Sequence, residues 1–222
     1  NLSDNTTIIG ALKLLGSTTS EWNYGMINAI TSEESADLIT SNNKKESFLV
    51  EPQTNYSVGR IEKSIINKFS RVGFMATDVT RKDINSSNVA GVDWKIGLLN
   101  NRLFSNGQIV KSNTSEEGNA YRFNLGYKNP KWWEARFWHG RYDDNFDIND
   151  IGYLKRNDLS WAGMMVKLRQ QEPIGSILGS SMELKLKKEW NGDNVVLEDI
   201  IELETWTLLK NYWRFGTWFE FE

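Results

Sequence analysis

The sequence predicts an all-β fold, an antiparallel up-and-down transmembrane β-barrel with about twelve strands in this segment, either complete or part of a larger barrel. Two observations carry this prediction. Apolar and polar residues alternate along most of the chain, as in segment 212–222, where Phe215 and Phe219 share one face and Arg214 and Glu220 the other. The connections between alternating segments also switch between short turns and longer polar loops, which is typical of outer-membrane barrels.

The predicted strands combine period-2 alternation with turn signals at their ends. They are 8–16, 22–30, 56–66, 71–79, 89–98, 103–111, 120–127, 132–142, 159–170, 177–190, 195–209 and 212–222. Between them, 31–55 is predicted to be a long polar excursion and 143–158 a long acidic loop, with loops of intermediate length at 80–88 and 112–118. Residues 1–222 are therefore expected to form one barrel domain or barrel fragment, with no second domain.

The overall composition fits a barrel and excludes several kinds of site. Apolar residues make up 39% of the 222 residues and aromatic residues 12%, as in a barrel with a polar lumen and aromatic girdles, although a soluble sugar-binding sandwich could give the same figures. The net charge of -3 gives no electrostatic reason to expect a nucleic-acid partner. The absence of cysteine excludes disulfides and zinc–thiolate sites, and the single histidine, His139, argues against a multi-histidine metal site.

The alternation divides the strands into two chemically different faces. The face predicted to contact lipid comprises Ala90, Val92, Trp94, Ile96, Leu98, Tyr121, Phe123, Leu125, Tyr127, Trp133, Ala135, Phe137, Met182, Leu184 and Leu186. The face predicted to line the lumen comprises Asp93, Lys95, Arg122, Glu134, Arg136, Glu183, Lys185, Lys187, Glu202, Glu204, Arg214 and Glu220. Because the lumen set carries both signs of charge, its members can pair between neighbouring strands.

One strand departs from this pattern. In segment 56–66, Arg60 and Glu62 are in step with Tyr56 and Val58, so that charged and apolar residues share a face. This departure is consistent with a β-bulge or with a strand that does not face lipid.

Aromatic and acidic residues of the lumen face suggest two further roles. Trp138 and Trp218 are candidates for a ligand platform, on which a sugar ring could stack. Glu202 and Glu204 lie two residues apart, and a carboxylate pair can carry out glycoside hydrolysis. Barrel interiors are commonly lined by such carboxylates, so we predict that the protein is not an enzyme and has no catalytic residues. His139 is expected at the membrane interface.

The long acidic loop has two interpretations. Asp143, Asp144, Asp147 and Asp150 offer oxygen ligands that could hold calcium, although their spacing does not match an EF-hand loop. The alternative is a solvated loop in which Asp and Asn side chains form local turns. Apart from calcium in 143–158, no cofactor is predicted.

Several segments resemble a known family. They are IIGALKLLG at 8–16, WNYGMINAIT at 22–31, EPQTNY at 51–56, VGR at 58–60, GVDW at 91–94 and NDIGYLKRND at 149–158. The chain resembles a domain of unknown function in outer-membrane proteins of Bacteroidota, where the domain forms the barrel behind an N-terminal carbohydrate-binding module similar to family 9. The resemblance implies an outer-membrane barrel and supplies no catalytic residues. The segment ends at Glu222 without the terminal aromatic residue that commonly closes such barrels, so we expect a barrel fragment with further strands on both sides.

These observations predict a bacterial outer-membrane protein whose main partner is the lipid bilayer. Its function is expected to be passage of small solutes, as in a porin, or scaffolding of an envelope complex with other outer-membrane subunits. The alternative is a carbohydrate-binding or carbohydrate-active β-protein that uses aromatic platforms and a carboxylate pair.

Overall fold

The protein is built entirely from antiparallel strands in the part that the computed structural model describes, residues 6–39 and 45–222. The strands are β1 Ile8–Ser17, β2 Trp22–Thr31, β3 Glu34–Ile39, β4 Lys45–Glu51, β5 Thr54–Ser64, β6 Arg71–Arg81, β7 Ser87–Leu98, β8 Leu103–Asn113, β9 Glu117–Lys128, β10 Trp133–Tyr142, β11 Leu159–Gln170, β12 Ile177–Trp190, β13 Val196–Leu209 and β14 Arg214–Phe221. Within these residues there is no helix long and apolar enough to cross a bilayer.

Within the described ranges, twelve strands form one up-and-down sheet in the order β1-β2-β5-β6-β7-β8-β9-β10-β11-β12-β13-β14. Each strand pairs with the next one along this order, as the alternating pattern and short turns predict. β3 and β4 form a separate hairpin. In the described part of the chain β1 and β14 make no contact, so the sheet is not closed and the closure expected of a barrel is not seen.

The two ends of the sheet differ in their connections. We call the end that carries 18–21, 65–70, 99–102, 129–132, 171–176 and 210–213 the turn end. The opposite end, which carries 143–158, is the loop end. The turn 99–102 is tight because Leu99, Asn100 and Asn101 all adopt positive φ, and asparagine tolerates this conformation better than most residues.

Loop lengths alternate less regularly than the sequence predicts. The loops expected at 80–88 and 112–118 are shorter, because β6 continues to Arg81, β7 starts at Ser87, β8 continues to Asn113 and β9 starts at Glu117. The polar residues at these strand ends pair with the neighbouring strand, although the sequence there does not alternate between apolar and polar residues. The excursion at 31–55 also proved to contain β3 and β4, whose short apolar runs lie between polar residues.

The sheet has two faces, which the register defines without ambiguity. The charged face includes Arg60, Asp93, Glu134 and Glu183, and the apolar face includes the whole set predicted to contact lipid. Large side chains of the apolar face are widely exposed to solvent in the isolated chain, among them Phe74, Val92, Leu125, Phe137, Met164 and Leu184. The buried side chains concentrate instead on the charged face towards the loop end, where they include Thr54, Val79, Ser112 and Ala120.

The departure in segment 56–66 has a simple explanation. β5 pairs with β2 and β6 without a bulge, so Arg60 and Glu62 lie on the charged face together with Tyr56 and Val58. The apolar face of β5 consists of small and polar residues apart from Ile61: Asn55, Ser57, Gly59 and Lys63. The strand is thus regular, and its charged face simply contains apolar residues near the loop end.

Candidate functional site

The charged face brings the predicted lumen residues onto one surface. The register aligns Lys128, Glu134, Lys167, Glu183, Glu204 and Trp218 directly opposite one another across consecutive strands from β9 to β14. Asp93 and Lys95 on β7 and Arg122 on β9 point to the same side. Arg136, Lys185, Lys187, Glu202, Arg214 and Glu220 also occupy this face.

A first ion-pair network lies on β5, β6 and β7. The Arg60 guanidinium donates to both carboxylate oxygens of Asp93, at 2.7 and 3.0 Å, and to Glu62 at 3.0 Å. Arg71 approaches Glu62 at 3.5 Å. Two basic and two acidic groups therefore balance one another in this region of the face. Bidentate geometry of this kind is among the stronger forms of ion pairing.

A second network surrounds Glu134, which is 3% exposed. Its carboxylate pairs with Arg136 on the same strand and, at 3.2 Å, with Arg169 on β11. A carboxylate so deeply buried requires compensation by partners of opposite charge, and two guanidinium groups provide it. Glu134 is therefore a structural centre of the charged face.

A third network runs along β11, β12 and β13. Lys167 pairs with Glu183 at 2.9 Å, Lys185 with Glu202 at 3.0 Å, and Lys187 with both Glu189 and Glu198. Glu202 is thus neutralised by Lys185, whereas Glu204 has no ion-pair partner among residues 6–39 and 45–222. The two carboxylates considered as a catalytic pair therefore differ in environment. Glu202 lies directly opposite Lys185 on β12, whereas Glu204 lies directly opposite Glu183.

The remaining predicted lumen residues are less constrained. Arg214 stacks over the Trp206 ring, with the guanidinium carbon 5.1 Å from the ring centre, and Arg122 reaches Gln108 at 3.5 Å. Lys95 and Glu220 are exposed and form no ion pair with any residue that the structure describes.

The two proposed platform tryptophans lie far apart in the sheet. Trp138 is directly opposite Gly163 on β11, and its ring covers that glycine. Trp218 lies on the last strand and is 58% exposed. Three strands separate β10 from β14, so the structure does not bring these two rings to a common ligand position.

Segment 143–158 folds over the loop end of the charged face. Asp143 Oδ2 accepts hydrogen bonds from the backbone N–H of Asn119 at 2.7 Å and from its side-chain amide at 3.2 Å. The backbone N–H of Asp147 donates to Ser112 Oγ at 3.1 Å. Phe146, only 3% exposed, packs directly on Gly118, where any added Cβ would clash with its backbone. The loop is therefore anchored to β8 and β9 rather than extended into solvent.

An ion pair between Asp150 and Arg81 ties the middle of this segment to the end of β6. Partial burial on its own would raise the pKa of Asp150, but the hydrogen bonds from Arg81 and Ser87 and the Arg81 charge outweigh it. The net effect lowers the pKa below its ordinary value, so the carboxylate is charged at neutral pH.

The acidic residues of the loop serve as separate anchors. Asp143 binds Asn119, Asp147 Oδ1 accepts from the backbone and side chain of Asn149, and Asp150 binds Arg81. No group of three or more potential metal ligands from His, Asp and Glu occurs in the described ranges. The turn-forming interpretation of Asp147 matches this arrangement.

A cavity of about 320 Å³ lies between the loop and the charged face. The sheet contributes Arg60, Asp93, Thr77 and Gln108 together with the apolar Met75, Val89 and Val110. The loop contributes Phe146, Ile148, Ile151, Tyr153 and Leu154, and β10 contributes Tyr142. This cavity combines hydrogen-bonding groups from the strands with apolar groups from the loop, the usual character of a small-molecule site.

The apolar face carries aromatic side chains at two levels. Towards the loop end, Tyr121 stacks on His139 with ring centres 5.5 Å apart, and Trp190 lies 6.1 Å from His139. Towards the turn end, Tyr127 and Trp133 lie 5.0 Å apart. Tyr121 and Tyr127 lie six positions apart on β9, about 20 Å along the strand, with Phe123 and Leu125 between them on the same face.

Charged residues of the apolar face are confined to its ends. Lys111 pairs with Glu117 and Lys188 with Asp199 at the loop end. At the turn end, the Lys63 ammonium lies 4.7 Å from the centre of the Trp22 ring. The band between these two ends carries no charged side chain on the strands that the structure describes.

Comparison with known families identifies the family of this chain. The profile of a domain of unknown function, DUF5916, matches residues 1–222. The chain belongs to the DUF5916 family. No curated protein and no solved structure matches this DUF5916 chain. The resemblance to a domain of unknown function is therefore confirmed.

The sequence did not predict the covering of the charged face by 143–158, although a signal for it exists. Phe146, Ile148, Ile151 and Leu154 are apolar residues within an otherwise acidic segment. A fully solvated loop has no need of four such side chains. In this DUF5916 chain they form the apolar wall of the cavity.

Proposed function

We propose that this DUF5916 chain forms part of the wall of a bacterial outer-membrane β-barrel and that the barrel allows small solutes to pass. The observation that carries the proposal is the apolar face of the sheet, an uncharged band between two aromatic levels. The distance of about 20 Å along β9 between Tyr121 and Tyr127 corresponds to about 15 Å along the membrane normal at the usual strand tilt of roughly 40°, so both rings would lie within the apolar belt of roughly 25 Å in outer-membrane barrels.

The charged face supports a water-filled lumen on the other side of the wall. Its ion pairs include both signs of charge, and most members remain partly accessible, as Arg60, Lys185 and Glu198 do. Such residues would be costly in lipid but are readily solvated in an aqueous channel. Segment 143–158 lies over this face and would narrow the channel near the loop end.

The open edges of the sheet are expected to be paired in the membrane. Unpaired backbone groups within the hydrocarbon region cost several kcal/mol each, so β1 and β14 need partners there. These two strands run in opposite directions, because each neighbouring pair in the sheet is antiparallel. We propose that they pair with further transmembrane strands or with each other.

Location and orientation can be tested with single cysteines, because the chain has none of its own. A cysteine at Glu116, in the loop-end turn 114–116, is expected to react with a membrane-impermeant maleimide on intact cells of a Gram-negative host. A matched cysteine at Asn100, in the turn-end connection, should react only after permeabilisation. Equal labelling at both positions, or recovery of a folded monomer in buffer without detergent, would contradict the proposal.

Passage itself can be tested with the purified full chain in lipid vesicles. Swelling in isosmotic solutions of small neutral solutes, with a size cut-off, is the expected result. If vesicles that contain folded, inserted protein are no more permeable to these solutes than protein-free vesicles, passage is excluded, whereas the proposed membrane location is not contradicted.

A second candidate function, scaffolding of an envelope complex, is favoured by the β3–β4 hairpin. This hairpin is separate from the large sheet, and β4 exposes Phe48, Leu49 and Val50. Consecutive exposed apolar residues suit a contact with another outer-membrane protein. If this function is correct, a partner should be recovered in stoichiometric amount after mild extraction and lost in a Phe48→Ser variant, whereas a Lys45→Ser control keeps it.

A further inference from the structure

We propose that the cavity beneath segment 143–158 binds an uncharged, polyhydroxylated ring of the size of a monosaccharide. This proposal rests on the proposed function, since the cavity would be a binding position along the path of a passing solute. The cavity is formed by strand residues around Gln108 and by loop residues around Ile151.

The charges of the cavity favour an uncharged ligand. Arg60 and Asp93 are the ionised side chains that line it, and they are bound to each other through two hydrogen bonds. Glu62 and Arg71, just beyond them, complete a balanced set. Among the lining residues themselves an anionic or cationic ligand would therefore find no unmatched countercharge, and the Arg122 guanidinium, unpaired among the described residues, lies outside the lining, against Gln108 Oε1 at 3.5 Å.

The hydrogen-bonding groups favour hydroxyls. The Gln108 amide has two N–H donors, and the Thr77 hydroxyl can both donate and accept. The Asp93 oxygens retain lone pairs beyond those bound by Arg60, since a carboxylate has about four acceptor positions. A ligand without hydroxyls would leave these groups desolvated and unpaired, which disfavours its binding.

The opposite wall favours a ring with an apolar face. Phe146, Ile148 and Ile151 extend from the loop towards Val89 and Val110 of the sheet. A sugar ring has hydroxyls around its edge and C–H groups on its faces, so it can satisfy both walls at once. The volume of about 320 Å³ lies at the lower end of small-molecule sites, which suits one ring rather than a long chain.

The test uses calorimetric titration of the full chain in detergent with methyl glucoside as the neutral probe, and gluconate and glucosamine as charged ones. Methyl glucoside should bind and the charged probes should bind at least about tenfold more weakly. Gln108→Leu keeps the side-chain size but removes the amide, and should weaken binding about tenfold. Val110→Trp, which fills the cavity, should abolish binding.

Asn106→Leu is the matched control, because Asn106 lies on the same strand and face as Gln108 but outside the cavity. Unchanged affinity in Gln108→Leu, or tighter binding of a charged probe, would overturn the site. Vesicle swelling measured in parallel separates the two proposals. Binding without swelling contradicts passage alone, whereas swelling without binding of methyl glucoside contradicts the cavity proposal alone.

Discussion

Trp138 and Gly163 lie directly opposite each other on β10 and β11, and the indole ring of Trp138 occupies the space where a side chain of residue 163 would lie. A Cβ at position 163 would be 2.2 Å from Cζ2 of the ring. The neighbouring rung repeats the arrangement in reverse, since Trp161 covers Gly140. Two tryptophans thus pack flat on the charged face only because glycine is their partner.

Gly163→Ala is expected to destabilise the protein by about 1–3 kcal/mol, because the Trp138 ring has to move away from the added methyl group. Thermal or denaturant unfolding in detergent measures the change. Gly59→Ala on β5 is the control, since a Cβ there meets no atom within 4 Å. That control should be neutral or slightly stabilising. A Gly163→Ala variant as stable as the control would contradict the packing role of Trp138.

Glu134→Gln should cost about 3 kcal/mol of unfolding free energy, because Arg136 and Arg169 lose the buried carboxylate that both of them bind. Glu117→Gln breaks the exposed pair with Lys111 and should cost less than about 1 kcal/mol. Unfolding of both variants under the same conditions gives the comparison. Similar losses for the two variants would show that burial of Glu134 has no energetic consequence.

The attachment of segment 143–158 should weaken in acid. The pKa of Asp150 is lowered in the folded protein, so its ion pair with Arg81 is fully formed above the ordinary aspartate pKa of about 4 and is lost as the pH falls through the lower folded value. A spin label on a cysteine at the exposed Tyr153 reports the change as increased mobility. Asp150→Asn should show that mobility already at pH 7 and little further change in acid, whereas Asp144→Asn should behave like the unmodified chain.

The two faces of the sheet could be predicted from sequence because side chains of a strand alternate regardless of what surrounds them. The alternation within each strand therefore placed Asp93, Glu134 and Glu183 correctly on one face. The position of segment 143–158 could not be predicted in the same way. It depends on contacts between residues distant in sequence, such as Arg81 with Asp150 and Ser112 with Asp147, which no local pattern reveals. Closure is a further long-range property, since it depends on the partners of β1 and β14.

Leu203 and Glu204 offer a direct test of which solvent each face meets, because they are adjacent on β13 and point to opposite sides. Leu203 lies between Leu184 and Phe219 on the apolar face, and Glu204 lies between Glu183 and Trp218 on the charged face. Their depth along the strand is nearly the same. The variants Leu203→Lys and Glu204→Lys therefore place the same lysine at nearly the same depth but on opposite faces of the sheet.

If the apolar face contacts the middle of the bilayer, Leu203→Lys should make the free energy of folding into lipid vesicles about 2–4 kcal/mol less favourable. Glu204→Lys should cost far less, because its ammonium group would meet water and the Glu183 carboxylate directly opposite. The fraction of each variant that is folded in vesicles, measured over a series of urea concentrations, gives the free energy of folding for both. If both lysines are tolerated equally, the apolar face does not lie in lipid. A soluble sheet whose apolar face is covered by another protein would instead show the Leu203→Lys penalty without vesicles, in the presence of that protein.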